Sequence, residues 1–251
     1  MRTGPDRRCD DLRETLLALA SLPDDSPALP DHLSTIVRLS ASVVGPVDFA
    51  SVTVPAGRGH RTQTASSDVA EAVDLAQYSE DAGPCLLALH SGETVGVPDV
   101  AGAVVWPGFR DVAWRYGILA SLSIPLFAGS GVPVAALNLY SREVAAMRLL
   151  IQRVQACYEG GSTQALPRMD AGSEQLLVGL TGALLTRDLV QRALGVLMAR
   201  DNVPVGLAYR RLVEEAGSEV SLIGAATPFS VSTRADAGVM MAKGPPVPRH
   251  G

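Results

Sequence analysis

Residues 174–200, EQLLVGLTGALLTRDLVQRALGVLMAR, carry a hydrophobic repeat around which the rest of the chain can be interpreted. Apolar residues recur at alternating steps of four and three, with Arg187 at the one polar step. The apolar positions are Leu176, Leu180, Ala183, Val190, Leu194 and Leu197. This spacing keeps one seam on one side of a helix, as in the paired helices of a coiled coil. One face of an ordinary core helix would give the same pattern. Either interpretation predicts a helix that joins the N-terminal part of the chain to the C-terminal part.

Composition limits the possible classes of protein. A chain of 251 residues has room for one large domain, or for a medium and a small one, and 47% apolar residues can form a core. A net charge of −5 argues against a uniformly basic nucleic-acid binder, although a local basic face remains possible.

The cysteines, Cys9, Cys85 and Cys157, form no CxxC pair, so a disulfide scaffold or zinc site is not expected. Without an apolar signal segment or an 18-residue apolar run, we expect a cytoplasmic protein with no membrane association.

Upstream of the repeat, the hydrophobic period changes along the chain. Helical spacing in residues 10–22 and 31–44 is followed by strand-like alternation in residues 48–55 and 60–65. A second pair of alternating segments, 118–127 and 132–140, surrounds the glycine-containing sequence AGSG, which favours an antiparallel hairpin.

Downstream of the repeat, only helical spacing is found. Apolar residues in 205–216 form a stripe, and a shorter third helix is predicted at 221–227. The predicted organisation is an N-terminal helix and linker (1–30), an α+β domain (31–158), a linker (159–173), a coiled-coil-like helix with a helical domain (174–228) and a disordered tail (229–251).

Two blocks of sequence resemble known families. The segments DFASVTVP, QTASSD, QYSEDAGPCLLALHSGE, VPDV, WPGF, YGILASLSIPL and ALNLYS resemble GAF sensor domains of the actinobacterial type. Downstream, RDLVQRALGVLMAR and LAYRRLVEEAG resemble the ANTAR domain, a small RNA-binding module of three helices. Their order is that of a class of transcription antitermination regulators.

The GAF resemblance implies a six-stranded antiparallel sheet flanked by helices. Such domains bind a small ligand over the sheet face or dimerise through terminal helices; the ligand and any cofactor are unknown here. Cys85 follows a proline at a predicted helix N-terminus, where the macrodipole would lower the pKa of a thiol, so it is a candidate redox sensor. A small buried core residue is the alternative. Trp106, Trp114 and Tyr116 could line a ligand pocket or simply fill a core.

The ANTAR resemblance implies that the helical domain binds paired stem-loops in nascent mRNA through arginines and through side chains that contact splayed bases. The candidates are Arg187, Gln191, Arg192, Gly195, Arg200, Tyr209, Arg210 and Arg211. Leu194 and Val213 depart from the family pattern. Arginines and acids balance at five each between residues 187 and 226, although RNA affinity depends on neutralising phosphates.

These resemblances imply two alternative functions. The first is a signal-responsive, homodimeric, RNA-binding antitermination regulator in the cytoplasm. The second is a degenerate dimeric sensor or protein-interaction module that does not bind RNA. No phosphate-binding loop, dinucleotide fingerprint, metal cluster or catalytic set of nucleophile and base is recognisable, so we expect no enzymatic activity and no metal.

Overall fold

The computed structural model describes residues 11–159, 167–216 and 222–228. Its elements are α1 (Leu12–Ser21), α2 (Leu29–Val43), β1 (Phe49–Ala56), β2 (Gly59–Ala65), α3 (Asp68–Ser79), α4 (Pro84–Ser91), β3 (Val95–Val97), α5 (Pro107–Arg115), β4 (Ala120–Phe127), β5 (Pro133–Ser141), α6 (Val144–Tyr158), α7 (Ala171–Asp201) and α8 (Val205–Ala216). A 3-10 turn occupies Val100–Gly102, and residues 222–228 are helical. The predicted disordered tail, Cys9 and residues 160–166 of the predicted linker lie outside the described residues.

The chain divides into two compact units, residues 1–187 and residues 188–251. The first is an α+β unit and the second is helical. Among the described residues, the sheet has five strands in the order β2-β1-β5-β4-β3, and all neighbouring pairs are antiparallel. The antiparallel sheet flanked by helices is confirmed, but the expected sixth strand is absent from this part of the chain. Between β3 and β4 the chain forms the 3-10 turn and α5.

Strand alternation gives the two faces of the sheet different chemistry. Successive side chains in a strand point to opposite faces. One face is apolar and packs against α1, α2, α6 and the first part of α7. The side chains that it contributes include Ala50, Val52, Val54, Leu122, Ile124, Leu137 and Leu139. The intervening positions of the same strands carry Ser51, Thr53, Ser121, Ser123, Asn138 and Tyr140, all buried on the opposite face.

Apolar residues of the hydrophobic repeat are buried in the cores of both units. Leu176, Leu177 and Leu180 lie in the core of the first unit. Val190, Ala193, Leu194 and Leu197 lie in the core of the second unit with Ala208 and Leu212 of α8. The structure therefore favours the core-helix interpretation over an exposed coiled-coil seam.

No helix among the described residues is both long enough and apolar enough to cross a membrane.

Candidate functional site

The polar face of the sheet holds a buried carboxylate. Asp74 belongs to a stripe of α3 that faces inward and also contains Ala70, Val73 and Gln77. Ser67 caps this helix by accepting a hydrogen bond from the Ala70 amide, which fixes its first turn. All four side chains of the stripe are fully buried, so the helix carries Asp74 onto the sheet and away from water.

Three side chains donate hydrogen bonds to Asp74. The Tyr140 hydroxyl donates to Oδ1 at 2.5 Å, and Asn138 Nδ2 donates to the same oxygen at 3.2 Å. The Thr62 hydroxyl donates to Oδ2 at 2.8 Å. Both carboxylate oxygens are therefore satisfied, as a buried polar group requires.

A second layer of contacts holds these donors in place. Asn138 Nδ2 also donates to Ser51 Oγ at 3.2 Å and Thr53 Oγ1 at 2.9 Å, while its carbonyl oxygen accepts from the Ser123 hydroxyl at 3.0 Å. The Tyr78 hydroxyl lies 2.8 Å from Thr53 Oγ1 and 3.0 Å from Thr62 Oγ1. We call the following set the Asp74 cluster: Ser51, Thr53, Thr62, Asp74, Tyr78, Ser123, Asn138 and Tyr140.

Burial is the main influence on the charge of Asp74. Removal from water raises the pKa of its carboxyl group from 3.8 to about 6, and the hydrogen bonds from Tyr140, Thr62 and Asn138 oppose that rise. Burial also raises the pKa values of Tyr140 and Tyr78, and the nearby Asp74 charge adds to both shifts. The cluster therefore contains one group that changes charge near neutral pH and two phenols that stay protonated.

Cys85 lies beside this cluster, but it does not have the electrostatics of a reactive thiol. It is fully buried in the first turn of α4, and its amide donates to Gln77 Oε1 at 2.9 Å. Burial raises the pKa of the thiol, and the Asp74 charge raises it further. The expected lowering by the helix N-terminus is therefore wrong in direction, because desolvation of the thiolate outweighs the helix dipole. The structure favours the alternative of a small buried core residue.

The three aromatic candidates do not converge on a common pocket. Trp106 precedes α5 and is partly buried against a core that includes Phe109. Trp114 is 58% exposed and Tyr116 is 40% exposed. Neither of the two expected roles, pocket lining or core filling, fits Trp114 and Tyr116, because both face solvent.

The RNA-binding candidates fall into two groups. Arg192, Gly195 and Arg210 are exposed, as is Gln191, while Tyr209 packs partly against the core of the second unit. Arg187, Arg200 and Arg211 contact other parts of the chain. Arg187 Nε donates to the Gly131 carbonyl oxygen at 3.1 Å, and its guanidinium lies over the Phe127 ring.

Asp201 binds the other two engaged arginines at the end of α7. Arg200 Nε lies 2.7 Å from Asp201 Oδ1, and Arg211 Nη1 donates to Oδ2. The Arg200 hydrogen bond is the main cause that lowers the pKa of Asp201 to about 2. Asp201 therefore offsets one of the two positive charges that Arg200 and Arg211 would otherwise offer to phosphates.

Sequence reasoning identified the exposed arginines but missed the Asp74 cluster. A signal for the cluster exists in SVT at 51–53, SLS at 121–123 and NLY at 138–140, where polar side chains occupy alternate strand positions. Among the described residues, no group of three or more His, Cys, Asp or Glu side chains is arranged to hold a metal ion.

No protein-family profile matches the chain, and no curated protein matches it. Among solved structures, it is similar to a domain of a two-component sensor histidine kinase protein from Sinorhizobium meliloti 1021. The sequences are 15% identical, the TM-score is 0.40, and the alignment covers 66% of this chain and 93% of that one.

Proposed function

We propose that this protein is a signal-responsive RNA-binding regulator of the GAF–ANTAR antitermination type, acting in the cytoplasm. The α+β unit would sense a small molecule, and the helical unit would bind stem-loops in a nascent transcript. The observation that carries the proposal is α7, because one continuous helix supplies Leu176 and Leu180 to the first core and Leu194 and Leu197 to the second. Because α7 is continuous, a change in its packing in the first core would be transmitted along the helix to the second unit.

Arg192, Gly195 and Arg210 form the proposed RNA-contacting set. Arg192 and Gly195 are three positions apart on α7, so they lie on the same side of the helix. A β-carbon at Gly195 would meet no other atom within 4 Å, so this position leaves room for close approach of an RNA backbone. Arg192 and Arg210 are exposed and would bind phosphates or loop bases.

A second function, a sensor or protein-interaction module without RNA binding, is favoured by the contacts of the other arginines. Arg187 is held on the first unit, and Arg200 and Arg211 share Asp201. Few of the candidate arginines then remain to neutralise RNA phosphates, and it is this neutralisation that releases counterions and drives RNA affinity. In either function, a homodimer would use surfaces other than the buried residues of the repeat; Val178 and Leu185 are exposed on the first part of α7.

Arginine variants of the full chain would test the RNA proposal. We expect Arg192→Ala and Arg210→Ala each to weaken binding to an RNA of two consecutive stem-loops. Each should also reduce the salt slope of log K by about 1, because one phosphate contact is lost. Electrophoretic or filter binding across a salt series measures both quantities.

Arg58→Ala provides the matched control, since Arg58 is an exposed arginine in the turn between β1 and β2. It should leave affinity and slope unchanged. If Arg192→Ala and Arg210→Ala bind RNA as the wild type does, the proposed contact set is wrong. If the folded wild type does not bind at about 50 mM salt, where phosphate attraction is strong, the interaction-module function replaces the first.

A further inference from the structure

Arg187 makes two contacts with the hairpin that joins β4 to β5. Its guanidinium carbon lies 4.0 Å from the centroid of the Phe127 ring, and Nε donates to the Gly131 carbonyl oxygen at 3.1 Å. A guanidinium over an aromatic face is attracted by the ring quadrupole, and the additional hydrogen bond fixes its orientation. Gly131 has φ of 76°, a conformation that glycine adopts without steric cost and that the turn uses here.

The hairpin turn is itself fixed, so it can serve as an anchor. The Gly129 amide donates to the Leu22 carbonyl oxygen at 2.8 Å, and the Ser130 amide donates to Asp24 Oδ1 at 2.9 Å. A β-carbon placed on Gly92, which follows α4, would lie 3.8 Å from Phe127 Cζ. The Phe127 ring therefore contacts the guanidinium of Arg187 and approaches the end of α4.

Between Leu180 and Arg187, α7 is attached by partly buried side chains, including Ala183 and Leu184, and by Gly182, which packs against Leu17. Leu180 is 1% exposed and Val190 is 1% exposed, but no apolar side chain between them is fully buried. Leu185 is 64% exposed. Arg187 is also the last residue of the first unit. Its contacts are therefore the last side-chain attachment of α7 within the first unit.

We propose that Arg187 is a latch that fastens α7 to the β4–β5 turn where the first unit ends. A closed latch holds residues 181–187 of α7 on the sheet. An open latch releases the end of this segment and leaves the contacts of Leu180 and of Gly182 with Leu17 in place. In the proposed regulator, a signal that displaces Phe127 through α4 or the hairpin would open the latch and alter α7 ahead of the second unit. The signalling role rests on the proposed function, whereas the latch itself does not.

Hydrogen exchange of the full chain, measured by mass spectrometry without RNA, tests the latch. We expect Arg187→Gln to speed exchange of the amides of residues 181–187 about tenfold, since local opening would lose a cation–π contact and a charge-assisted hydrogen bond. Phe127→Leu, which keeps an apolar side chain but removes the aromatic face, should act in the same segment. The double variant should exchange about as fast as Arg187→Gln alone, because that substitution already removes the cation–π contact that Phe127→Leu removes.

Arg148→Gln is the matched control, since Arg148 is an exposed arginine on α6. It should leave exchange in residues 181–187 unchanged, and α6 amides should stay protected in the Arg187→Gln protein. Unchanged exchange in Arg187→Gln would overturn the latch, as would equal loss of protection in α6 and α7. Additive effects of the two substitutions would also overturn it. Because this readout involves no RNA, failure of RNA binding would remove the proposed function and leave the latch result standing.

Discussion

Replacing Gly172 by alanine is expected to destabilise the first unit by about 3 kcal/mol, a large effect for the addition of one methyl group to a packed contact. A β-carbon at this position would lie only 1.7 Å from the Val43 carbonyl oxygen and 2.9 Å from the Val44 amide nitrogen. Both are backbone atoms at the end of α2, so no side-chain rotation can relieve the overlap.

The surroundings also prevent α7 from moving away. Asp170 Oδ1 accepts hydrogen bonds from the Gly45 amide at 3.1 Å and the Ser173 amide at 3.0 Å. Asp170 Oδ2 accepts from the Ser173 hydroxyl at 2.6 Å. The carboxylate therefore ties the start of α7 to the chain just after α2, and relieving the overlap would break these bonds.

Denaturant unfolding followed by circular dichroism measures the effect of Gly172→Ala as a lower midpoint. Gly195→Ala is the matched control because Gly195 is also in α7 but has open space around it. Alanine there should be neutral or stabilise its unit by up to about 1 kcal/mol, the usual gain of alanine over glycine in a helix. If the Gly172→Ala protein is as stable as the wild type, the end of α2 and the start of α7 do not approach as closely as described.

Asp74 should make the first unit less stable as pH rises from about 4 to about 7, by about 2 kcal/mol from this group alone. Its pKa is about 6 in the fold against 3.8 for an unburied carboxyl group, so the folded chain holds the proton more tightly than the unfolded chain does. The stabilising contribution is complete below the lower pKa and is lost as pH passes through the higher one. Other carboxylates, including Asp170, titrate in the opposite sense, so the total profile does not isolate Asp74.

Asp74→Asn isolates this contribution. Asparagine keeps the shape but carries no charge to desolvate, and the Thr62 hydroxyl can accept from its amide. Relative to wild type, the variant should therefore gain about 2 kcal/mol of unfolding free energy between pH 4 and pH 7, whatever its stability at either end. Urea titrations at each pH measure this difference. Glu71→Gln removes an exposed carboxylate from the same helix and should show no comparable trend. A constant difference between Asp74→Asn and wild type would contradict the raised pKa.

The secondary structure could be predicted because each element carries a clear local pattern. The expected hairpin at 118–127 and 132–140 corresponds to β4 and β5, and the expected helix at 205–216 coincides with α8. Alternation, helical spacing and glycine or proline at the ends are properties of a few neighbouring residues, so a single sequence displays them.

The candidate site was harder to predict because it depends on which face of an element is covered. The apolar side chains of α3 include Val69, Val73 and Leu75, and hydrophobicity alone would place all three inward. The buried stripe instead includes Asp74 and Gln77, and Leu75 is 55% exposed. A carboxylate at a helical position normally indicates a solvated face, and only the polar sheet opposite α3 allows Asp74 to be buried with its hydrogen bonds satisfied.

The long repeat illustrates the same difficulty. Its four-three spacing predicts one seam but does not identify the partner of that seam. Leu176 and Leu180 lie in one core, and Leu194 and Leu197 lie in the other. Arg187, which lies between these two pairs in the sequence, contacts the hairpin that joins β4 to β5. An ion pair between residues of different helices, such as Arg211 and Asp201, likewise cannot be predicted from a local sequence pattern.

Direct binding of the purified full chain to an RNA of two consecutive stem-loops, at about 50 mM and about 200 mM salt, is the decisive test of the proposed function. We predict binding that weakens as salt rises and that is lost when the loop bases are changed while both stems are kept. Absence of binding at the lower salt by a protein that circular dichroism shows to be folded would contradict it. Equal binding to the RNA with altered loops would contradict specific stem-loop recognition.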